Sequence, residues 1–485
     1  MNRILACALC AAAVAPAQYA GGTIFQSLDA FQPTGLNSIS VPGNPGGLTT
    51  GEVLVYTAGW TNGARSLATA ESLGAVFGDR NGDGKPFDWV NIDAMHVTWT
   101  NPAVQPKPFD FRFSFEYNVV NGSGVVQVNA GDVFKISAQG AYVVTIPMSV
   151  FQAAVGYTQP LNVDGYAEMP DGSVIVSFKG AAGTGSIGNF TNVITAFGVP
   201  GTVPAFGSDV FVIRPPLGLM PAIKLYQASD FQTIVNAVFT NPPAVTEIRD
   251  FDLQPLSTAV NNPYDPQNLW NSGDRPQLVF HLYGDENVLC TQSTTNPAGN
   301  SHIWALVQGS TGVGKYSTNL AGVGSAAVYM DALAVSMHVL PTGAAVTMDC
   351  SPLTSITQPG GGGSANVPQY APGATVTFTA RNLVGGANQT AAFVLGVTTF
   401  GGVGWPTGGA GYANLILSPF DPILGLCLQP PYAGLLTTGL SNADGTASTS
   451  PFVIPTGLAP TTFYVQAVQL GSVFPLSAPQ ALRVQ

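Results

Sequence analysis

The sequence predicts an all-β protein in which a propeller-like ring of four repeats precedes a β-sandwich domain. Three observations lead to this prediction. The 485 residues include 57 glycines and 38 prolines, and only 8% are charged, a composition typical of strands joined by turns. One strand pattern recurs four times at nearly constant spacing. A series of short strand patterns with turn signals follows the glycine-rich residues 360–363.

Two independent marks define the repeat. Valines that open the first strand of each unit are spaced 80, 77 and 78 residues apart: Val53, Val133, Val210 and Val288. An aspartate begins the third strand of each unit: Asp93, Asp164, Asp250 and Asp331. The ~78-residue period accommodates four strands and a short helix, as in repeat architectures.

Gly131–Phe178 is the clearest repeat. Two β-branched and aromatic runs surround a turn at Gly140 and predict a hairpin. Ser149 precedes a stretch of helical periodicity, so its hydroxyl is predicted to cap a short helix. A second hairpin is predicted at Asp171-Gly172, because Asp-Gly between alternating apolar runs favours a tight turn.

The arrangement of the repeats follows from the need to cover their sheets. A four-stranded unit of this size cannot bury both faces of its own sheet, so the repeats are expected to pack on one another. A β-propeller is the simplest solution. A linear stack and separate small sandwiches remain alternatives, but the repeats are sequential, similar in size and without a polar capping unit at either end.

The start of the chain resembles a secretory signal peptide. Residues 1–17 contain Arg3, an apolar run and the small residues Ala15 and Ala17 around a cleavage position, which predicts a secreted or cell-surface product. Residues 18–50 either add an edge strand that helps to close the ring or simply trail from it. No later run reaches the roughly 18 apolar residues that a membrane helix needs, so no transmembrane segment is expected.

The charge of the chain argues against polyanionic partners. The formal net charge is −11, and only 15 residues are lysine or arginine. Binding to nucleic acid or to an anionic membrane requires a concentrated basic surface, which this sequence does not supply.

One loop resembles the first half of a calcium-binding loop. In GDRNGDG the oxygen-bearing residues alternate before a glycine, as calcium loops require. The predicted ligands are Asp79, Asn81 and Asp83, the Lys85 carbonyl, and Asp88 or Asp93. The pattern departs where Phe87 and Val90 replace the expected acidic residues. The alternative is a hairpin turn whose carboxylates are solvated.

The recurring aspartates have two interpretations. They could form a ring of carboxylates around a channel, or each could accept backbone N–H groups just after a turn. The second interpretation, in which each aspartate accepts backbone N–H groups, is favoured. The four histidines, His96, His281, His302 and His338, show no spacing typical of metal ligands and are interpreted as isolated.

Two long insertions, Gly180–Phe206 and Ser257–Arg275, are interpreted as loops. The second combines aromatic rings, which stack on sugars, with amides, which bind hydroxyl groups. Its candidate ligand-binding residues are Asn261, Tyr264, Asn268, Trp270 and Asn271. A glycan is therefore a predicted ligand. The alternative is an ordinary polar loop anchored by one tryptophan.

The predicted ring spans residues 51–355, a Gly/Ser linker spans 356–368, and an immunoglobulin-like sandwich spans 369–485. The strings PGATVTF, ADGTAS and FYVQAVQL are similar to the C-terminal immunoglobulin-like sandwich of many uncharacterised secreted bacterial proteins. The repeats, with GDVF and DGSVIVSF, resemble the strand-rich repeats that precede it in some of them. The resemblance implies an exported, surface-associated protein and supplies no catalytic residues.

Three cysteines remain after removal of the signal peptide: Cys290, Cys350 and Cys427. An oxidising compartment favours one disulfide and one free thiol. The predicted bond joins Cys290 and Cys350.

Two functions from different classes are consistent with the sequence. The first is a non-enzymatic surface or matrix protein whose loops bind a glycan or a cell-envelope protein. The second is a secreted carbohydrate-active hydrolase or lyase that uses Asp93 and Asp164 as acid and base at the ring opening. Binding is favoured, because no nucleophile motif or complete metal-ligand set is present.

Overall fold

The computed structural model describes the chain in segments, and all structural statements concern these residues: 23–28, 53–57, 65–68, 91–99, 109–120, 123–136, 142–169, 171–195, 199–238, 244–245, 247–253, 278–282, 303–306, 313–317, 330–336, 347–351, 354–357, 364–367, 369–381, 383, 385–396, 433–457, 461–470 and 480–484.

These segments contain many strands and two helices. The strands are β1 (Thr23–Leu28), β2 (Val53–Thr57), β3 (Arg65–Ala68), β4 (Ile92–Trp99), β5 (Phe109–Phe115), β6 (Val119–Val120), β7 (Val126–Val128), β8 (Val133–Ile136), β9 (Tyr142–Ile146), β10 (Val163–Glu168), β11 (Val174–Phe178), β12 (Ser186–Ile194), β13 (Pro200–Phe206), β14 (Val210–Ile213), β15 (Ala222–Tyr226), β16 (Ile248–Leu253), β17 (Leu278–Leu282), β18 (Ile303–Leu306), β19 (Val313–Ser317), β20 (Met330–Ser336), β21 (Thr347–Ser351), β22 (Thr354–Thr357), β23 (Ser364–Val367), β24 (Gln369–Tyr370), β25 (Thr375–Arg381), β26 (Thr390–Gly396), β27 (Ala433–Leu440), β28 (Ala447–Ser448), β29 (Phe452–Val453), β30 (Thr461–Gln469) and β31 (Gln480–Val484). The helices are α1 (Met148–Val155) and α2 (Ala228–Val238). The prediction of an all-β chain is confirmed.

Four sheets of the N-terminal part share one layout. Their strand orders are β4-β5-β8-β9, β10-β11-β14-β15, β16-β17-β18-β19 and β20-β1-β2-β3, with β12 and β13 added beside β15. The fourth sheet combines distant parts of the chain, because β1 pairs with β2 on one side and with β20 on the other. Residues 23–28 therefore belong to a sheet and do not trail from it.

The sheet boundaries fall in the middle of the sequence repeat. Val53, Val133 and Val210 lie in the third strands of their sheets, whereas the aspartates of the second mark lie in the first strands. Hairpins β8–β9 and β10–β11 belong to different sheets, so the prediction that Gly131–Phe178 forms one four-stranded unit is wrong. Helix α1 connects the last strand of one sheet to the first of the next, and α2 does the same. A sequence period cannot reveal where the sheet begins.

The aspartate before each of two third strands closes the same turn. The Oδ2 of Asp132 accepts the N–H of Asn129 at 3.3 Å, and the Oδ2 of Asp209 accepts that of Phe206 at 2.9 Å. Asp132 also caps α1, because its Oδ1 accepts the Met148 N–H at 2.7 Å. The predicted Ser149 cap is therefore wrong, and the helix begins at Met148, two residues before the predicted start at Val150.

The sheet that begins with β10 is covered on both faces. Along β11 and β14 the buried side chains alternate between two hydrophobic clusters, as the two-residue period of a strand requires. One cluster also contains α1 and residues of β4, β8 and β9, and the other contains Phe231 of α2 and residues of β16 and β17. The sheets are thus packed face to face in chain order.

The first insertion is a hairpin, not a loop. Within Gly180–Phe206, β12 pairs antiparallel with β13 and parallel with β15, which extends the sheet. The sequence also predicts helices at Ala70–Phe77 and at Ser317–Val323. The first lies outside the described residues, and of the second only Ser317 is described, where it ends strand β19.

The C-terminal part contains two larger sheets over one core. One sheet has the order β21-β25-β28 and the other β24-β31-β30-β26-β27. The buried Phe378 and Phe393 come from different sheets and belong to the same cluster, as in a β-sandwich. Because β21 pairs with β25, Cys350 lies in this part and not in the fourth repeat. Strands β22 and β23 pair across the predicted linker, and Cys290 lies outside the described residues.

Candidate functional site

Both ligand sites predicted from loops lie outside the described residues. The calcium-loop set Asp79, Asn81, Asp83, Lys85 and Asp88 falls between β3 and β4. The aromatic and amide set Asn261, Tyr264, Asn268, Trp270 and Asn271 falls between β16 and β17. These remain predictions.

The four recurring aspartates lie in the first strands of the four sheets, where those strands meet. Strand β4 contacts β10 and β20, and β16 also contacts β10 and β20. The aspartate side chains are buried, with residue exposures of 0% for Asp93, 2% for Asp164, 0% for Asp250 and 3% for Asp331. Three of them belong to a cluster that we call the acidic centre, which comprises Asn91, Asp93, Glu116, Asn162, Asp164, Lys179, Glu247, Arg249 and Asp331.

Two charged residues enter the acidic centre from equivalent positions. Glu116 follows β5 and Lys179 follows β11, each directly after a buried phenylalanine. The backbone N–H of Glu116 donates to the Asn91 carbonyl, and that of Lys179 donates to the Asn162 carbonyl, both at 2.9 Å. The same local structure therefore delivers a carboxylate from one sheet and an ammonium from the next.

Polar contacts connect successive sheets around the acidic centre. The Lys179 ammonium donates to Glu116 Oε1 at 2.5 Å. The Asn91 Nδ2 donates to Asp331 Oδ2 at 3.0 Å, and the Nη1 of Arg249 lies 3.6 Å from Asp331 Oδ1. The backbone N–H of Gly180 donates to Glu247 Oε1 at 3.3 Å. Each of these contacts joins a residue of one sheet to a residue of its neighbour.

Burial changes the proton affinity of these groups. It raises the pKa of Asp93 well above its usual value, and the nearby Glu116 and Asp164 carboxylates raise it further. Burial likewise raises the pKa of Asp331 to about 7, with a further contribution from Glu116 that Arg249 and Lys179 oppose. Burial alone would lower the pKa of Lys179, but the surrounding carboxylates raise it overall. Lys179 is therefore a permanent cation.

Asp164 and Glu247 form a carboxyl pair. Burial and the nearby Glu247 carboxylate raise the pKa of Asp164 well above its usual value, and burial also raises the pKa of Glu247, an effect that Lys179 opposes. Neighbouring buried carboxyl groups disfavour a state in which both are charged.

Asp250 has a different role from the other three aspartates. Its Oδ2 accepts the Met95 N–H of β4 at 3.2 Å and the Leu333 N–H of β20 at 2.5 Å, and its Oδ1 accepts the N–H of Phe251. It therefore connects three first strands. The interpretation of the aspartates as backbone acceptors fits Asp250, but most of the N–H groups come from neighbouring strands and not from a local turn.

His96 is not isolated, contrary to the sequence interpretation. Its Nδ1 lies 2.9 Å from the Oδ1 of Asp252, which also accepts the Val335 N–H through Oδ2. Burial alone would lower the pKa of His96, but Asp252, with Glu168, raises it above 6.5 despite the opposing charge of Arg112. The ring also packs edge-on against Tyr166.

A His96→Gln variant should lose part of the pH dependence of stability. Because the folded pKa is raised, the ion pair contributes fully below the ordinary pKa of 6.5 and is lost as the pH rises through the folded value. At about pH 6 we expect a cost of about 1.5–3 kcal/mol, the range for a hydrogen bond to a charged group. Urea unfolding of both proteins at several pH values measures it. A cost that does not decrease with rising pH would contradict this assignment.

Sequence reasoning missed Glu116, Lys179, Glu247 and Arg249, although two signals were present. The string Ser-Phe followed by a charged residue occurs at Glu116 and again at Lys179. Asn-x-Asp occurs at Asn91 and at Asn162, immediately before two of the recurring aspartates. Each signal is short, and only the pairing of strands shows that both converge on one place.

The acidic centre contains one group of oxygen ligands with the spacing of a metal site. One carboxylate oxygen from each of Asp93, Glu116 and Asp331 lies within 4.8 Å of the other two, and all three residues are buried. These are hard ligands, which suit Mg²⁺, Ca²⁺ or Mn²⁺.

Neither helix of the described segments has the length and apolar character needed to cross a membrane.

Comparison with known proteins identifies no family. No protein-family model and no curated protein matches the chain. Among solved structures, a cellulose-active polysaccharide monooxygenase from M. thermophila is 18% identical over 26% of this chain and 56% of its own, with a TM-score of 0.13. Trypsin-activated α-2-macroglobulin from Escherichia coli is 11% identical over 97% of this chain and 32% of its own, with a TM-score of 0.17.

A putative membrane-anchored protein from Corynebacterium diphtheriae is 10% identical over 96% of both chains, also with a TM-score of 0.17. The chain thus spans little more than half of the monooxygenase and about a third of the macroglobulin. Similarities this weak carry no argument about fold or function.

Proposed function

We propose that the protein is an exported, non-enzymatic binding protein whose four N-terminal sheets form a four-bladed β-propeller that presents loops to a glycan. The observation that carries this proposal is the burial of the acidic centre. Its carboxylates form the recurrent polar feature of the repeats, yet they have almost no contact with solvent. These carboxylates therefore hold the sheets together, and the loops are the parts of the protein that bind a ligand.

Three observations support a ring. The first strands contact one another in the cyclic order β4, β10, β16, β20 and back to β4. The sheet that begins with β10 packs between the sheets that begin with β4 and with β16. Strand β1 from the start of the chain completes the sheet of β20, a closure that avoids exposed edges between the first and last blades.

Burial argues against the alternative of a hydrolase or lyase. A glycosidase needs two carboxyl groups that reach a polymeric substrate, with the acid and base on either side of the scissile bond. Asp93 and Asp164, the predicted pair, are 0% and 2% exposed. A glycan chain cannot contact such groups without opening the packed first strands.

The loop between β16 and β17 is the proposed binding surface. Rigid sheets that carry long connections are the usual support for recognition, and this connection contains Tyr264 and Trp270 among several asparagines. Aromatic rings and amides together suit neutral sugars, and the net charge of −11 disfavours polyanionic ones.

A glycan array run with the mature protein tests the proposal. We expect binding to a neutral glycan without release of reducing ends or unsaturated products. A Tyr264→Ala/Trp270→Ala variant should bind at least about tenfold more weakly, because aromatic anchors dominate such interfaces. Tyr117→Ala is the matched control, since Tyr117 is an exposed aromatic residue on another sheet's connection, and its binding should be unchanged.

Two results would contradict the proposal. Product release by the wild-type protein that disappears in Asp93→Asn would assign catalysis to the acidic centre. Equal loss of binding in the Tyr117 control and the loop variant would show that the loop is not the recognition surface.

A further inference from the structure

Three carboxylates of the acidic centre whose oxygens lie within 4.8 Å of one another come from two sheets. Asp93 belongs to β4 and Glu116 follows β5 in one sheet, whereas Asp331 belongs to β20 in the neighbouring sheet. Oxygen atoms within 4.8 Å of one another can all reach one ion, because Ca²⁺ binds oxygen at about 2.3–2.6 Å. An ion at this position would hold the two sheets together.

The second observation concerns buried oxygen atoms without hydrogen-bond partners among the described residues. Both carboxylate oxygens of Asp93 have no partner although the residue is 0% exposed. The Oε2 of Glu116 is also without one. Buried polar atoms in native proteins are almost always satisfied, so the complete isolation of the Asp93 carboxylate points to a missing ligand.

Asn91 supplies an oxygen of a different chemical type. It is 5% exposed, and its Nδ2 donates to Asp331, which fixes the orientation of the amide. The Oδ1 on the same group is buried and has no partner in the described part of the chain. A carboxamide oxygen beside carboxylates is a common Ca²⁺ ligand. The unpartnered Asn91 oxygen is thus a separate observation from the clustering of the three carboxylates.

The charges of the centre leave room for a divalent cation. Among the described residues, the carboxyl groups of Asp93, Glu116, Asp164, Glu247 and Asp331 face the cations of Lys179 and Arg249. Five carboxyl groups therefore surround two cations, and a divalent cation would reduce this excess of acidic groups.

We propose that Asp93, Glu116 and Asp331, together with the Asn91 carboxamide oxygen, bind one hard divalent cation, with Ca²⁺ as the preferred ion. The ligands are all oxygen, which excludes selection for soft metals. Ca²⁺ is preferred over Mg²⁺ because Mg²⁺ loses its water shell reluctantly and is seldom held by a site built of protein atoms alone. Asp93 is also one of the two candidates for the last ligand of the predicted calcium loop, whose other residues lie outside the described ones.

The first experiment uses the wild-type mature protein. It is treated with EDTA, dialysed, and then titrated with CaCl₂ or MgCl₂ while thermal unfolding and bound metal are measured. We expect one bound Ca²⁺ attributable to the acidic centre and a rise in unfolding temperature of about 5–10 °C at a Ca²⁺ concentration a hundredfold above the dissociation constant. MgCl₂ should produce a smaller rise. No bound metal and no rise with either ion would overturn the proposal.

Variants assign the bound ion to its residues. Asp93→Asn should weaken Ca²⁺ binding at least about tenfold, because it removes the charge of a ligand. Asp164→Asn is the matched control, since it changes the equivalent buried aspartate of β10 and should retain the Ca²⁺ response. If Asp93 held a proton instead of an ion, Asp93→Asn in EDTA would be as stable as the wild type and the wild type would not respond to Ca²⁺, which would also overturn the proposal.

The loop predicted from the sequence needs its own control. An Asp79→Asn/Asp83→Asn variant should still show the rise in unfolding temperature that Ca²⁺ causes. A response that disappears in this loop variant and persists in Asp93→Asn would place the ion in the loop and contradict a site in the acidic centre. Loss of glycan binding in the loop variants of Tyr264 and Trp270 bears only on the proposed function, so the two proposals can fail separately.

Discussion

Replacing Asp250 with alanine is expected to lower the free energy of unfolding by at least about 3 kcal/mol, because each buried donor left unsatisfied costs about 1–3 kcal/mol. The side chain accepts the N–H groups of Met95, Phe251 and Leu333, which belong to three different first strands. Alanine offers no acceptor, and water cannot replace one at a residue that is 0% exposed. Urea unfolding followed by tryptophan fluorescence measures the loss.

Two variants show whether the acceptor itself is responsible. Asp250→Asn keeps an oxygen for the two N–H groups from the neighbouring strands and loses only the bond to Phe251, so we expect a cost of about 1–2 kcal/mol. Asp171→Ala removes an exposed carboxylate that accepts the N–H and the hydroxyl of Ser173 within one turn, and loss of such local hydrogen bonds should cost about 1 kcal/mol. Equal costs for the alanine and asparagine variants of Asp250 would contradict its role as a connector of strands.

The sequence allowed the strands of the fold to be predicted well but not their grouping. Alternating apolar patterns located β8, β9, β10 and β11, and the recurring aspartates marked one strand in each of the four N-terminal sheets, which was predicted to be the third strand and is the first. The predicted boundaries of the repeat units were wrong, because a repeat has the same period whichever residue is chosen as its start. Only hydrogen bonding between strands decides which hairpins share a sheet, and that is long-range information.

The acidic centre could be predicted only in part. The recurrence of Asp93, Asp164 and Asp331 was visible, but their grouping with Glu116 and Lys179 depends on strands that are distant in sequence. Glu116 and Lys179 are 63 residues apart, yet they form an ion pair. The favoured interpretation of the aspartates as local acceptors failed for Asp93, because its carboxylate oxygens meet no N–H group among the described residues.

The C-terminal part shows the same limit. Alternation predicted β25, where Val376, Phe378 and Ala380 are buried and the residues between them are not. The partner of β25 lies before the glycine-rich residues that composition identified as a linker. A glycine-rich composition indicates a flexible connection. It does not show whether the strands before and after that connection belong to the same domain.

The packing between β10 and β16 leads to the second large effect. A Cβ at Gly165 would lie 2.6 Å from the ring of Phe251 and 2.6 Å from the Ser177 hydroxyl. The residue after the recurring aspartate is small in β4, β10 and β20, whereas β16 carries Phe251 at that position. The large ring fills the space that the glycine leaves, so the two positions are complementary.

Gly165→Ala is therefore expected to destabilise the protein by about 1–3 kcal/mol, the usual cost of overpacking a well-packed core. Gly201→Ala is the matched control, because it also places a methyl group in a strand but in open space, and its cost should stay within about 0.5 kcal/mol. Urea unfolding of both variants measures the difference. Similar costs for the two would mean that Gly165 is not constrained by its neighbours.

A double variant identifies the neighbour that matters. Phe251→Leu removes ring atoms next to Gly165 and should cost about 1 kcal/mol by itself. If the clash with this ring causes the loss of stability, the double variant Gly165→Ala/Phe251→Leu will lose less unfolding free energy than the two single variants added together. The expected difference is about 0.5–3 kcal/mol. Strict additivity would assign the loss to Ser177 or to the backbone. The expected coupling would show that the first strands of the second and third sheets are packed in direct contact through this pair, as their placement side by side around the acidic centre requires.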